Sequence, residues 1–164
     1  MANFIGGYIL EGNKIWRINM KTDGIKRHSK EELMKFCLDQ GIIGIGWSSP
    51  VFTENLNENV LNLKELQDNI WHYCKNNWKK TRGFATASNI IVDRMNIGDY
   101  VWTRTGDSYR IAKILSEAKY MRNNKDYIDY DIGFYREVEY CNHSFQMSEV
   151  PGKVIASFSA SSTV

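Results

Sequence analysis

The turn Asn96-Ile97-Gly98-Asp99 separates two halves of this chain that follow different periodicities, and that division limits the folds open to it. Before the turn, apolar residues recur at helical spacing in capped segments. Beyond it, strand-like runs follow one another.

The first half is easily punctuated. Lys14-Ile15-Trp16-Arg17-Ile18-Asn19-Met20 sets Ile15, Arg17 and Asn19 against Trp16, Ile18 and Met20, a half-buried strand ending at the turn Thr22-Asp23-Gly24. Ser29-Lys30-Glu31-Glu32 is a capping box, Leu33, Phe36 and Cys37 fall at i, i+3 and i+4, and Gly41 stands where a C-terminal cap belongs, so a helix is predicted over 30–40. The β-branched run Gly41-Ile42-Ile43-Gly44-Ile45-Gly46-Trp47-Ser48 reads as a strand whose glycines admit a backbone or a ligand at close range. Leu63, Leu66, Ile70 and Tyr73 predict a second amphipathic helix from 62 to about 77, and 85–95 a short third one.

After the turn, 100–104 and 109–116 flank Thr105-Gly106-Asp107-Ser108 as a hairpin. Further strands are predicted at 127–132, 134–140 and 154–158. The fold class is α+β, a curved, mainly antiparallel sheet or pseudo-barrel with flanking helices, and 164 residues make one domain. The small polar residues from Ser157 onward read as the start of a linker, so the domain is expected to be the N-terminal module of a longer protein.

Charge and cysteines exclude several function classes. With 21 Lys+Arg against 19 Asp+Glu the net charge is +2, so attraction to nucleic acid must come from a local patch. Cys37, Cys74 and Cys141 are odd in number and lack C-x-x-C spacing, which implies free thiols in a reducing compartment rather than disulfides or zinc. No apolar run is long enough to cross a membrane and the first residues lack a basic leader, so a cytoplasmic location is expected. His28, His72 and His143 are scattered, and no G-x-S-x-G, H-E-x-x-H or phosphate-binding glycine loop occurs, so no enzyme activity and no cofactor are expected. In the acidic cluster Asp126, Asp129, Asp131, Glu137 and Glu139, strand alternation puts Asp129 and Asp131 on one face, which keeps a metal-dependent nuclease as a lesser alternative.

Aromatic residues make up 13% of the chain, more than a core of this size needs, so some are expected to line a binding surface. A base reader needs flat faces for stacking and polar groups to match the base edge. Trp47, Ser48, Ser49, Trp102, Asn89 and Arg104 are the candidates for such a pocket, with Tyr100, Trp102 and Arg104 sharing one strand face. Arg17, Lys75, Lys79, Lys80 and Arg82 are the candidates for contacting the nucleic-acid backbone, the last four interleaved with Trp71, Trp78 and Phe84. Each set also has a plain structural reading, as core rings and as a solvated helix end.

The run Met95-Asn96-Ile97-Gly98-Asp99-Tyr100-Val101-Trp102, followed by Ile111-Ala112-Lys113-Ile114, resembles the M-x-x-GD-x-V core of the PUA-like superfamily, within its EVE, YTH and ASCH groups. Gly44 to Ser49 resembles the strand that walls the base pocket in EVE and YTH domains, and 130–158 is similar in texture to N-terminal modules of bacterial restriction and phage-defence proteins. The segment between Ser48 and Arg82 departs from the pattern: it is long and holds no clear counterparts of the family's cage aromatics. The resemblance implies a reader of a modified, flipped nucleobase, in DNA rather than RNA, that targets a fused or associated nuclease or NTPase in restriction or antiviral defence. The alternatives are a free-nucleotide or small-molecule sensor on the same fold and a protein-interaction module of phage counter-defence.

Overall fold

The computed structural model describes residues 12–20, 27–54, 62–78 and 81–159, with Trp78 described in its backbone alone. The turn that divides the sequence is also the corner from which the sheet is built. Gly98 takes φ +93°, a conformation that favours glycine, and Asp99 is buried behind it. The Asp99 carboxylate accepts from the Lys14 backbone N–H (2.9 Å), the Trp16 indole N–H (2.9 Å) and the Asn96 backbone N–H (3.0 Å). These bonds lay β1 (Ile15–Ile18) parallel to β3 (Tyr100–Thr105), with Ile15 opposite Tyr100 and Ile18 opposite Thr103.

From β3 the chain doubles back through Gly106-Asp107 into β4 (Ser108–Ile114). β4 pairs antiparallel with the end of β6 (Phe134–Tyr140), and β6 pairs antiparallel with β2 (Ile42–Ile45). Two short strands complete the sheet: β5 (Lys119–Tyr120) on β6 and β7 (Phe145–Gln146) on β4. The order β1-β3-β4-β6-β2, with one parallel and otherwise antiparallel pairings, curls into a half-barrel. The fold is thus α+β, with a mixed sheet.

Helices fill and flank the curl. α1 (Lys30–Gln40) has the expected capping box, Ser29 with Glu32, ends at Gly41 with φ +63°, and buries Leu33, Met34 and Cys37. α2 (Leu63–Tyr73) is capped by Asn62 and runs on into a π-helical turn, Cys74–Trp78. α3 (Phe84–Asn89) does the same into Ile90–Arg94. A π-turn leaves carbonyls out of the regular α-helical ladder, and here Arg136 of β6 takes them up. Its fully buried guanidinium donates to the Ile91 (2.6 Å), Val92 (3.1 Å) and Ser116 (2.9 Å) carbonyls.

Two predicted strands are helices instead. The run Tyr127 to Ile132 alternates like a strand, but Asn124 accepts from the Asp126 and Tyr127 N–H groups and starts α4 (Lys125–Asp129). Residues 154–158 belong to α5 (Gly152–Phe158), where Val154, Ile155 and Phe158 share a helical face rather than alternating. With no strand at Asp129 and Asp131, their shared strand face does not exist. The turn at Thr22-Asp23-Gly24 and the tail from residue 160 lie outside the described residues. Among the described residues no helix is long and apolar enough to cross a membrane.

Two outcomes test this frame. Arg136→Met strands three carbonyls, one of them buried, and is expected to cost about 3 to 5 kcal/mol in chemical denaturation. Burial pushes the Asp99 carboxyl up, but the bonds from Lys14, Trp16 and Asn96 outweigh it and hold its pKa below the ordinary value. A carboxyl with a depressed folded pKa contributes stability that is complete above its unfolded value, about pH 4, and is lost as pH falls through the folded one. The stability gap between the wild type and Asp99→Asn should therefore be full at pH 7 and narrow as the pH drops below about 4. A gap that does not change with pH would show that the Asp99 charge contributes nothing.

Candidate functional site

All four residues of β2 are buried, and the strand ends against the segment 131–134. A Cβ on Gly133 would lie 2.5 Å from the Gly46 carbonyl oxygen and 2.7 Å from that of Trp47; one on Gly46 would lie 2.7 Å from the Asp131 carboxylate. What presses on this glycine-rich strand is the protein's own 131–133 segment: the Gly133 backbone, the Asp131 carboxylate and, at Gly44, the Ile132 side chain (2.7 Å).

Trp47 follows at φ +62°, a left-handed conformation that costs a bulky residue about 1 to 2 kcal/mol. Its surroundings over-determine that conformation. The Tyr120 hydroxyl donates to the Trp47 carbonyl (2.8 Å) and accepts from the Ser49 N–H (3.4 Å). The Ser48 N–H (3.1 Å) and hydroxyl (2.9 Å) both donate to one oxygen of Asp131, itself at φ +51°. Burial raises the Asp131 pKa despite the two bonds from Ser48. Burial also pushes the Tyr120 phenol well up, so it stays a proton donor. The indole is half-buried and meets the Phe84 ring edge-on at 5.0 Å. Strain of this kind collects at binding and switching sites.

The other expected pocket residues are spread over three places. Ser48 spends its hydroxyl on Asp131, whereas the Ser49 hydroxyl has no partner among the described residues. Asn89 is exposed at the far end of α3, and its side-chain oxygen accepts from Gln67 (3.3 Å), which also donates to Ser88 (3.1 Å). Trp102 is buried on the opposite face of the sheet: its β3 neighbours Val101 and Thr103 point into the main curl, while Trp102 joins Tyr109, Ile111, Val150 and Phe158 in a second cluster. Arg104 lies on that face too, donating to the Gly106 carbonyl (2.7 Å) and resting 5.5 Å from the Tyr109 ring centre. The structure thus separates Trp47 from Trp102 and Arg104.

The basic candidates divide similarly. Lys75 is exposed, with its ammonium 4.8 Å from the Trp71 ring centre, and Arg82 is exposed beyond it. Lys79 and Lys80 lie outside the described residues. Arg17 sits on the other face, with its guanidinium 5.8 Å from the Phe158 ring. Asp129, from the acidic cluster, pairs with His28 (2.5 Å) and Arg27 (3.2 Å), whereas Asp131 turns to Ser48. Sequence reasoning missed Tyr120 and Gly133, and it named Asp131 only for a metal site and Phe84 only beside the basic stretch. Only Gly133, isolated in an apolar run, carried a readable signal.

In chemical terms the Trp47 site offers a backbone-fixed indole and, two residues on, a Ser49 hydroxyl without a partner among the described residues. Comparison with protein families matches residues 16–158 to a domain of unknown function, DUF8426, and the chain belongs to that family. Comparison with curated proteins and with solved structures finds no match.

Gly133→Ala probes the clamp directly. The new methyl must displace the Gly46 and Trp47 backbone, so a loss of about 2 kcal/mol or more is expected, together with a red shift in tryptophan emission. An unshifted spectrum at unchanged stability would mean that the contact between the two glycine segments is loose.

Proposed function

We propose that the chain is a nucleic-acid reader that takes a flipped, modified base against Trp47. One observation carries this reading: a half-buried indole held at a strained backbone position by Tyr120 and Asp131, hence already fixed before any ligand arrives. Pre-ordering an aromatic face removes an entropic cost of binding, and stacking on it contributes about 1 to 3 kcal/mol per base. The Ser49 hydroxyl, two residues on from Trp47, supplies a polar group that can distinguish one base edge from another. Lys75 and Arg82, with Lys79 and Lys80 between them in sequence, hold the phosphates.

The curled mixed sheet with flanking helices is compatible with a PUA-like fold of the EVE and YTH type, and the Met95 to Trp102 run supports that assignment. On this reading the domain works in the cytoplasm on DNA, selecting targets for a fused or associated nuclease or NTPase in restriction or antiviral defence.

The test is binding to labelled duplexes that carry adenine, N6-methyladenine, cytosine, 5-methylcytosine or 5-hydroxymethylcytosine. Selective binding is expected, weakened about 5- to 150-fold by Trp47→Ala. Lys75→Ala with Arg82→Ala should lower the slope of log affinity against log salt by about 2. Absence of duplex binding at low salt removes the reading, and salt-insensitive binding of a free nucleotide replaces it with a small-molecule sensor.

A further inference from the structure

The two faces of the β3–β4 hairpin differ in kind. One sends Val101, Ala112 and Ile114 into the main curl. The other carries Tyr100, Trp102 and Arg104 of β3 beside Tyr109 and Ile111 of β4, a face of rings and a guanidinium. Phe145 stands edge-on to Trp102 at 5.5 Å, and Phe158 edge-on to Tyr109 at 5.8 Å. Cations flank the rings, Arg104 over Tyr109 and Arg17 over Phe158.

The cover on this face is weakly fastened. α5 is seven residues long and has no side-chain cap at its start, and among the described residues its one side-chain hydrogen bond is internal, Ser157 to the Val154 carbonyl. Among the described residues it is held by apolar contact through Val154, Ile155 and Phe158, together with Arg17 over the Phe158 ring. Underneath, the Tyr109 hydroxyl is buried and has no hydrogen-bond partner among the described residues. A buried hydroxyl without a protein partner beneath a short helix marks an imperfectly matched contact.

We propose that this face is a second binding surface, for single-stranded nucleic acid, and that α5 is its displaceable cover. When α5 lifts, Trp102, Tyr100 and Tyr109 present ring faces to successive unpaired bases, and the Tyr109 hydroxyl gains a partner. Arg17 and Arg104 then exchange a ring contact for a phosphate. A duplex does not fit this surface, because its bases are already stacked on each other. The surface is separate from the Trp47 site and does not depend on the reading of that site.

The experiment measures binding of a labelled oligothymidylate to the full chain and to Phe158→Ala, with amide hydrogen exchange of both. Loosening the cover raises the binding-competent fraction, so Phe158→Ala should bind about tenfold more tightly, and Arg104→Gln in the same background should remove most of that gain. Faster exchange in α5 with no gain in affinity overturns the proposal, as does a gain that Arg104→Gln leaves intact. Where Phe158→Ala fails to fold, the wild type decides. α5 amides that exchange before those of β3, and are slowed by the oligonucleotide, support the cover; α5 amides as slow as those of β3 overturn it. Modification-selective duplex binding is scored separately in the same proteins, so either reading can fail alone.

Discussion

Arg136 places a permanent charge where water does not reach, and much of the architecture is arranged around satisfying it. A guanidinium holds its donors in a rigid plane, so one side chain can reach carbonyls from separate segments at fixed angles. Here it joins the π-turn after α3 to the connection that follows β4, from a strand that pairs with both β2 and β4. Burial lowers its pKa, and the exposed carboxylate of Glu117, 3.7 Å away, works in the opposite direction. Without Arg136 the carbonyls of Ile91 and Val92 would lose their donor, and the π-turn would lose a reason to persist.

Asp99 plays the complementary part at the other edge of the sheet. Its three bonds bring β1 beside β3, and the alternation of β3 then divides the molecule into two faces. The same alternation assigns the two tryptophans of interest to different environments. Trp47 is half-buried at the end of β2, while Trp102 is buried in the cluster that also holds Phe158 of α5. A buried acid and a buried base thus decide, between them, where each aromatic surface lies.

The parts legible in the sequence were those with local causes. The capping box at Ser29, the left-handed Gly41, the Asn96 to Asp99 turn and the hairpin at Gly106 are written in adjacent residues and appear as expected. Even the sharing of one face by Tyr100, Trp102 and Arg104 follows from period two alone. Where local cues conflicted, the reading failed: Tyr127 to Ile132 alternates, yet the Asn124 cap makes α4, and the apolar 154–158 winds into α5 after Pro151. The Trp47 clamp was illegible because Tyr120 and Asp131 reach it only through the pairing of β2 and β5 with β6, and no spacing in the chain announces that meeting.

The β1 to β3 pairing also sets an order in time. Lys14 and Asp99 are 85 residues apart in sequence, so during synthesis at about 5 to 20 residues per second the first strand emerges roughly 4 to 17 s before its partner has been made. Through that interval Trp16 and Ile18 have no β3 to lie against. The strand that leads the described chain is therefore among the last to find its place. A parallel pairing closed across so long a loop is slow to form even once both strands are present, and a nascent chain of this kind depends on whatever shields its N-terminal apolar residues until residue 99 arrives.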